Sequence, residues 1–126
     1  MGNLMSTIKA NDLQNASGGI PTVKGQRLIP TAWVNFNGTG TVAIRDSENV
    51  SSITDVATGS YDVSFTVTMD NTNYSATAST VRTVSWLDGG IEIYNYQTTG
   101  FRVNNIENSA GADPAIVNVQ VMGGQA

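Results

Sequence analysis

Cysteine and histidine are both absent from this chain of 126 residues. Their absence removes disulfides, thiolate and imidazole metal sites, cysteine nucleophiles, and every serine triad that relies on a histidine base. Charge is scarce as well: Asp, Glu, Lys and Arg make up 13% of the chain, about half the usual share of about 25%. The six cations stand singly, at Lys9, Lys24, Arg27, Arg45, Arg82 and Arg102, and the net charge is −4. Nucleic-acid binding needs a clustered basic footprint that releases counterions, so no nucleic-acid partner is expected. An anionic membrane surface is disfavoured for the same reason. No apolar run approaches the roughly 20 residues that span a bilayer, and no basic stretch leads into a secretory apolar core. The expectation is no membrane insertion, and release from a producing cell by lysis or inside a larger assembly.

What replaces charge is amide and hydroxyl: 13 Asn, 15 Thr and 11 Ser. Such a surface is polar yet largely uncharged, which suits sugars, water and protein neighbours better than polyanions. The length fits one domain with a modest core.

Residues 1–30 have no sustained periodicity and hold Gly18-Gly19 and two of the three prolines. They read as an N-terminal arm or connector, with a short helix possible from Ser6 to Leu13 and a turn at Ser17 to Pro21. From residue 31 to 126 the chain reads as a β-rich domain. Tyr61, Val63, Phe65 and Val67 alternate with polar residues, the period of a strand with one buried face. Asn73 to Val84 reads as a thin strand of small residues. Ile91 to Tyr96 follows an Asp88-Gly89-Gly90 turn, Phe101 alternates with Val103, and Val117, Val119 and Val121 close the series. Short strands between Gly, Asn and Asp turns predict an all-β fold, a small antiparallel β-sandwich or barrel.

The segment AWVNFNGTGTVAIRDSENVSSI contains a glycine-rich loop, Asn37 to Gly40. A phosphate cradle leads into a helix and brings a lysine; here a strand follows and no lysine is near. A three-residue loop, Gly38 to Gly40, sets Phe36 opposite Val42 and Val34 opposite Ile44, with all four on one face. Gly40 then takes the left-handed position, and Trp33 falls across from Arg45. A loop of five residues keeps the same parity.

The stretch AWVNFNGTGTVAIRDSENVSSITD, with GSYDVSFTV after it, resembles a sequence block of bacteriophage tail-fibre proteins, notably the distal receptor-binding end in Acinetobacter-infecting myophages. STIKANDLQNASGG is similar to the leader that precedes such blocks. The resemblance is strong over 31–68 and weaker over 85–104; related sequences often carry an aromatic where this chain has Glu48. It implies a homotrimer, located in the virion's tail fibre, whose β-domain caps the fibre and touches the host surface. Implied partners are other copies of the chain, other tail or baseplate proteins and a bacterial surface glycan, with no cofactor, no metal and no enzymatic activity. A purely structural fibre, baseplate or decoration role is the alternative.

Candidate residues follow from side-chain chemistry. Trp86 and Asp88, beside a glycine-rich loop, and Tyr94, Tyr96 and Arg102 are candidates for receptor contact, since Tyr joins an apolar body to a hydrogen-bonding end. Alternation puts Tyr94 and Tyr96 on one face with Glu92, and Asn95 on the inner face with Ile91 and Ile93. Trp33, Asn35, Arg45 and Asn95 are candidates for packing or a trimer interface, Trp33 alternatively for a sugar platform. Asp46, Glu48, Asp55 and Asp62 raise the paired-carboxylate chemistry of a glycosidase, although ten acids produce near pairs by chance. No calcium-loop spacing is present. Four Asn-X-Ser/Thr sequons, at Asn15, Asn37, Asn49 and Asn73, are no more informative in a chain this rich in Ser and Thr.

Overall fold

The computed structural model describes residues 6–7, 9–14, 16–18, 29–81 and 89–125; within them there are nine strands and no helix. The short helix anticipated from Ser6 to Leu13 is therefore not found in the described part of that stretch. The strands are β1 (Ala32–Asn37), β2 (Ala43–Glu48), β3 (Val50–Ala57), β4 (Ser60–Phe65), β5 (Tyr74–Thr80), β6 (Gly89–Gln97), β7 (Gly100–Glu107), β8 (Ala110–Gly111) and β9 (Val117–Gly123). They form two antiparallel sheets, in the order β2-β1-β9-β5 and β3-β4-β7-β6, with β8 also paired to β7. The sheets pack face to face, so the fold is a β-sandwich rather than a barrel.

Alternation decides what lies between the sheets. Val34 and Phe36, Tyr61, Val63 and Phe65, Phe101 and Val103, and Val117, Val119 and Val121 are all buried. Val42, Ile44, Ile91 and Ile93 pack against them. Burial of this much apolar surface is the main stabilising force available to a chain without cross-links. Phe36 meets Tyr61 edge-on across the sheets, at 5.2 Å and 71°. At the other end Tyr74 stacks at a tilt on Phe101 and Tyr96 and edge-on to Phe65. Val67 departs from the expected strand: β4 ends at Phe65, and Val67 is 68% exposed. Gly89 and Gly90 are likewise not a turn but the first residues of β6, opposite Glu107 and Ile106.

The opening hairpin keeps its parity and changes its loop. Phe36 pairs with Ile44 and Asn37 with Ala43, so the loop holds five residues. Val34, Phe36, Val42 and Ile44 still share the core face. Gly40 is left-handed (φ 60°), a conformation that glycine adopts without steric cost. Asn37 holds the loop: its side-chain amide donates to Thr39 O (2.6 Å) and Thr41 O (3.1 Å), and its Oδ1 accepts from the Thr39 hydroxyl (2.8 Å). Gly38 is needed for a close approach, since a Cβ there would lie 2.5 Å from the Tyr61 hydroxyl and 2.8 Å from Pro114 O.

A bulge at Arg45 then shifts the register by one, so Asn35 pairs with Asp46, Val34 with Ser47 and Trp33 with Glu48. The longer loop had already moved Arg45 away from Trp33, and the bulge sets Glu48 there, so the expected Trp33–Arg45 pair is lost. Arg45 instead donates to Ala115 O (2.6 Å) and Asn35 Oδ1 (3.5 Å).

One residue carries the chain from the first sheet to the second. Asn49 lies between β2 and β3 in the left-handed region, with φ 53°. Its Nδ2 donates to Thr31 O (3.1 Å) and Val67 O (3.3 Å), and its Oδ1 accepts from Val67 N (2.7 Å). The side chain thus joins the start of β1 to the segment that leaves β4. At the opposite end Asp113 Oδ1 accepts from Gly59 N (2.6 Å) and from the Tyr61 hydroxyl (2.9 Å). Burial first, and then that carboxylate, raise the Tyr61 pKa well above the ordinary tyrosine value.

Candidate functional site

The interior is filled mainly by apolar side chains, with Asn105 and Glu107 of β7 buried toward one end, and the accessible polar groups lie on the two outer faces. The outer face of β3-β4-β7-β6 carries cross-strand rows fixed by register. Thr54 pairs with Asp62, Asp62 with Arg102, and Arg102 with Tyr94. The next row runs through Ser60, Asn104 and Glu92.

Arg102 is bidentate to Asp62, Nε to Oδ1 at 2.6 Å and Nη2 to Oδ2 at 2.8 Å. The hydrogen bonds from Arg102 hold the Asp62 carboxyl below its ordinary pKa. Asp62 first, and then the Tyr94 hydroxyl beside it, raise the Arg102 pKa. Two planar groups locked in this way give a fixed cationic edge with N–H groups to spare. Tyr94 is 40% exposed at the end of the row. Asn104 donates its amide to Glu92 Oε1 at 3.2 Å.

The expected grouping of the tyrosines does not hold. Asn95 has φ 54° and marks a register break between Tyr94 and Gln97. Its exposed side chain accepts a hydrogen bond from Gln97 Nε2 and does not join Ile91 and Ile93 on the inner face. The break also separates the tyrosines: Tyr94 lies beside Arg102, whereas Tyr96 packs against the Tyr74 ring, 5.0 Å away. The structure therefore brings Tyr94 and Arg102 together and adds Asp62, and it sets Tyr96 apart. Trp86 and Asp88 lie outside the described residues.

Trp33 and Asn35 project from the outer face of the other sheet, β2-β1-β9-β5. Trp33 pairs with Gln120, which pairs with Thr77; Asn35 pairs with Asn118, which pairs with Ser79. These residues line a shallow open groove of about 360 Å³. A larger open groove, about 810 Å³, runs between Leu13 of the arm and Asn49, Val67 and Met69 of the sandwich end. No pattern along the chain marks the Asp62 contact with Arg102, because the two are 40 residues apart and only the β4–β7 register joins them.

The four acids that raised a glycosidase do not gather. Asp46 and Glu48 lie on β2 of one sheet, and Asp55 and Asp62 lie on β3 and β4 of the other. Asp62 is ionised and held by Arg102, an environment opposite to that of a general acid. Among the described residues no group of three or more Asp and Glu could hold a metal ion.

No protein-family model matches this chain, and no match to it is found among curated proteins or solved structures.

Proposed function

We propose that the chain is the distal domain of a bacteriophage tail fibre, a homotrimer in the virion that attaches the phage to a polysaccharide on the host surface. The observation that carries the reading is the row Asp62–Arg102–Tyr94 on an exposed sheet face. Asp62 occupies Nε and one Nη2 proton of Arg102 and the Tyr94 hydroxyl takes a further one, leaving two N–H groups for ligand hydroxyls or a sugar carboxylate. Tyr94 supplies a ring edge and a hydroxyl beside them, and the surroundings are amides and hydroxyls rather than charge. A site of this kind binds by geometry already in place, which limits the ordering cost of association. Exposed Val56, Val67 and Val81 supply apolar surface for contacts between copies.

Competition tests the reading. Purified domain added to host cells is expected to reduce adsorption of the parent phage in a dose-dependent way, and Tyr94→Ala domain to compete at least about tenfold less well. Unchanged adsorption at saturating domain would refute receptor binding. The structural alternative, a fibre, baseplate or decoration component, draws on the same exposed valines; it predicts a stable trimer that neither labels host cells nor competes.

A further inference from the structure

We infer that the groove around Trp33 is a binding subsite for an uncharged saccharide ring, separate from the face that carries Tyr94 and Arg102. Neighbouring strands lie about 4.8 Å apart, and residues two apart on one strand about 7 Å. Gln120 therefore stands directly beside the half-exposed indole, Asn35 lies one step along the same strand, and Asn118 lies on the diagonal. A pyranose has an apolar C–H face and a rim of hydroxyls. An indole plane with amides at its margin matches both, because each amide donates and accepts toward adjacent hydroxyls.

The amides are already aimed. Arg45 donates to Asn35 Oδ1, Asn35 donates to Asn118 Oδ1, and Asn118 donates to Ser79 Oγ. Each of these two amides keeps one N–H and acceptor capacity for a ligand. A chain of amides fixed in this way is preorganised.

The occupant follows from charge and from apolar area. Every residue lining the groove is uncharged, and Glu48 and Asp46, paired with Trp33 and Asn35 on β2, flank it with negative charge that repels a polyanion. A second copy of the chain needs an apolar patch to settle on. None of the described large hydrophobics with the greatest exposure lines the groove, although Val81 follows Ser79 by two residues just beyond the end of β5. Within the groove's lining the Trp33 indole has Asn35, Asn118, Gln120, Thr77 and Ser79 as its polar neighbours, an arrangement that fits a saccharide ring.

The test is a heteronuclear NMR titration of the labelled full chain, with the two indole N–H signals assigned by a Trp86→Phe variant. The probes are maltohexaose, cellohexaose and chitohexaose, with polygalacturonate as the anionic comparison. A saturable shift of the Trp33 indole with at least one neutral probe is expected, weakened at least about tenfold in Asn118→Ala and in Gln120→Ala. Those two exposed changes leave the core intact should Trp33→Ala fail to fold. Three results would overturn the inference: no neutral probe moves the signal, only polygalacturonate moves it, or the signal moves on dilution without sugar because a second copy covers the face. The outcome is separable from the tail-fibre reading. Sugar binding at Trp33 with no competition for adsorption ends that reading and leaves the subsite, whereas competition with an unresponsive Trp33 does the reverse.

Discussion

Replacing Asn49 tests the link that holds the two sheets together. Two costs combine in Asn49→Ala. The first is backbone: φ is 53° at this position, and a left-handed conformation costs an L-residue with no local hydrogen-bonding side chain about 1 kcal/mol or more. The second is the loss of three side-chain hydrogen bonds, to Thr31 O, Val67 O and Val67 N. Each is worth about 1 kcal/mol when buried. Two of these contacts are solvent-exposed and one is part-buried, so together they contribute roughly 2 kcal/mol. The expected loss is about 3 kcal/mol, which for a domain of this size lowers the melting temperature by roughly 10 °C. Asn49→Gly separates the two costs. It tolerates the backbone angle but lacks the amide, so it should lose roughly 2 kcal/mol and remain more stable than the alanine variant. Asn49→Asp keeps the acceptor for Val67 N but sets a carboxylate oxygen against Thr31 O and Val67 O, and should also be less stable than wild type. Urea unfolding reads the series, with the midpoint shifting at constant slope. An alanine variant within about 0.5 kcal/mol of wild type, or a glycine variant less stable than alanine, would refute the reasoning.

Two further predictions concern titration. The Tyr61 pKa is raised by burial and by Asp113, so its contribution to stability is complete below the unfolded value of about 10 and is lost as pH rises above it. Alkaline unfolding should therefore start near pH 10. Tyr61→Phe should weaken that dependence while costing about 1–2 kcal/mol at neutral pH, since it removes the contact with Asp113 and the 3.1 Å contact with Gly38 O; an unchanged alkaline midpoint contradicts the assignment. The Asp62 pKa is lowered by Arg102, so its contribution is present above the unfolded value of about 3.9 and disappears as acidification passes the lower folded value. Asp62→Asn should flatten the acid limb of a stability profile below about pH 4, and an acid limb identical to wild type would show the pair to be energetically idle.

Strands with strict alternation were legible in the sequence, because a period of two admits few other folds: Tyr61, Val63 and Phe65, or Val117, Val119 and Val121, can all be buried only in a strand. The hairpin face was legible for the same reason, and Gly40 because glycine is the residue that meets no penalty at positive φ. β3 escaped notice since its large residues, Val50, Ile53 and Val56, are spaced by three and two of them lie at an exposed or half-exposed edge. The bulges at Arg45 and Asn95 also went unread. An extra residue leaves composition unchanged while it reverses every later side chain, which is how Trp33 came to face Glu48 and Tyr96 came to face Tyr74. The abundant asparagines hold part of this information: Asn49, Asn95 and Asn108 are three of the four described non-glycine residues at positive φ. Others, Asn35 and Asn118, stand on an open sheet face. One residue type thus serves both corner and surface, and only the register separates the two uses.

The central claim, that this domain grips a host-surface polysaccharide through the row Asp62–Arg102–Tyr94, is tested most directly by the fluorescently labelled full chain on host cells. Labelling by wild type, removal of that labelling when the cells' capsule is stripped enzymatically, and its loss in Tyr94→Ala with folding intact are the results the account predicts. Wild-type and Tyr94→Ala protein labelling the cells equally, or neither labelling any strain the parent phage adsorbs to, would contradict it.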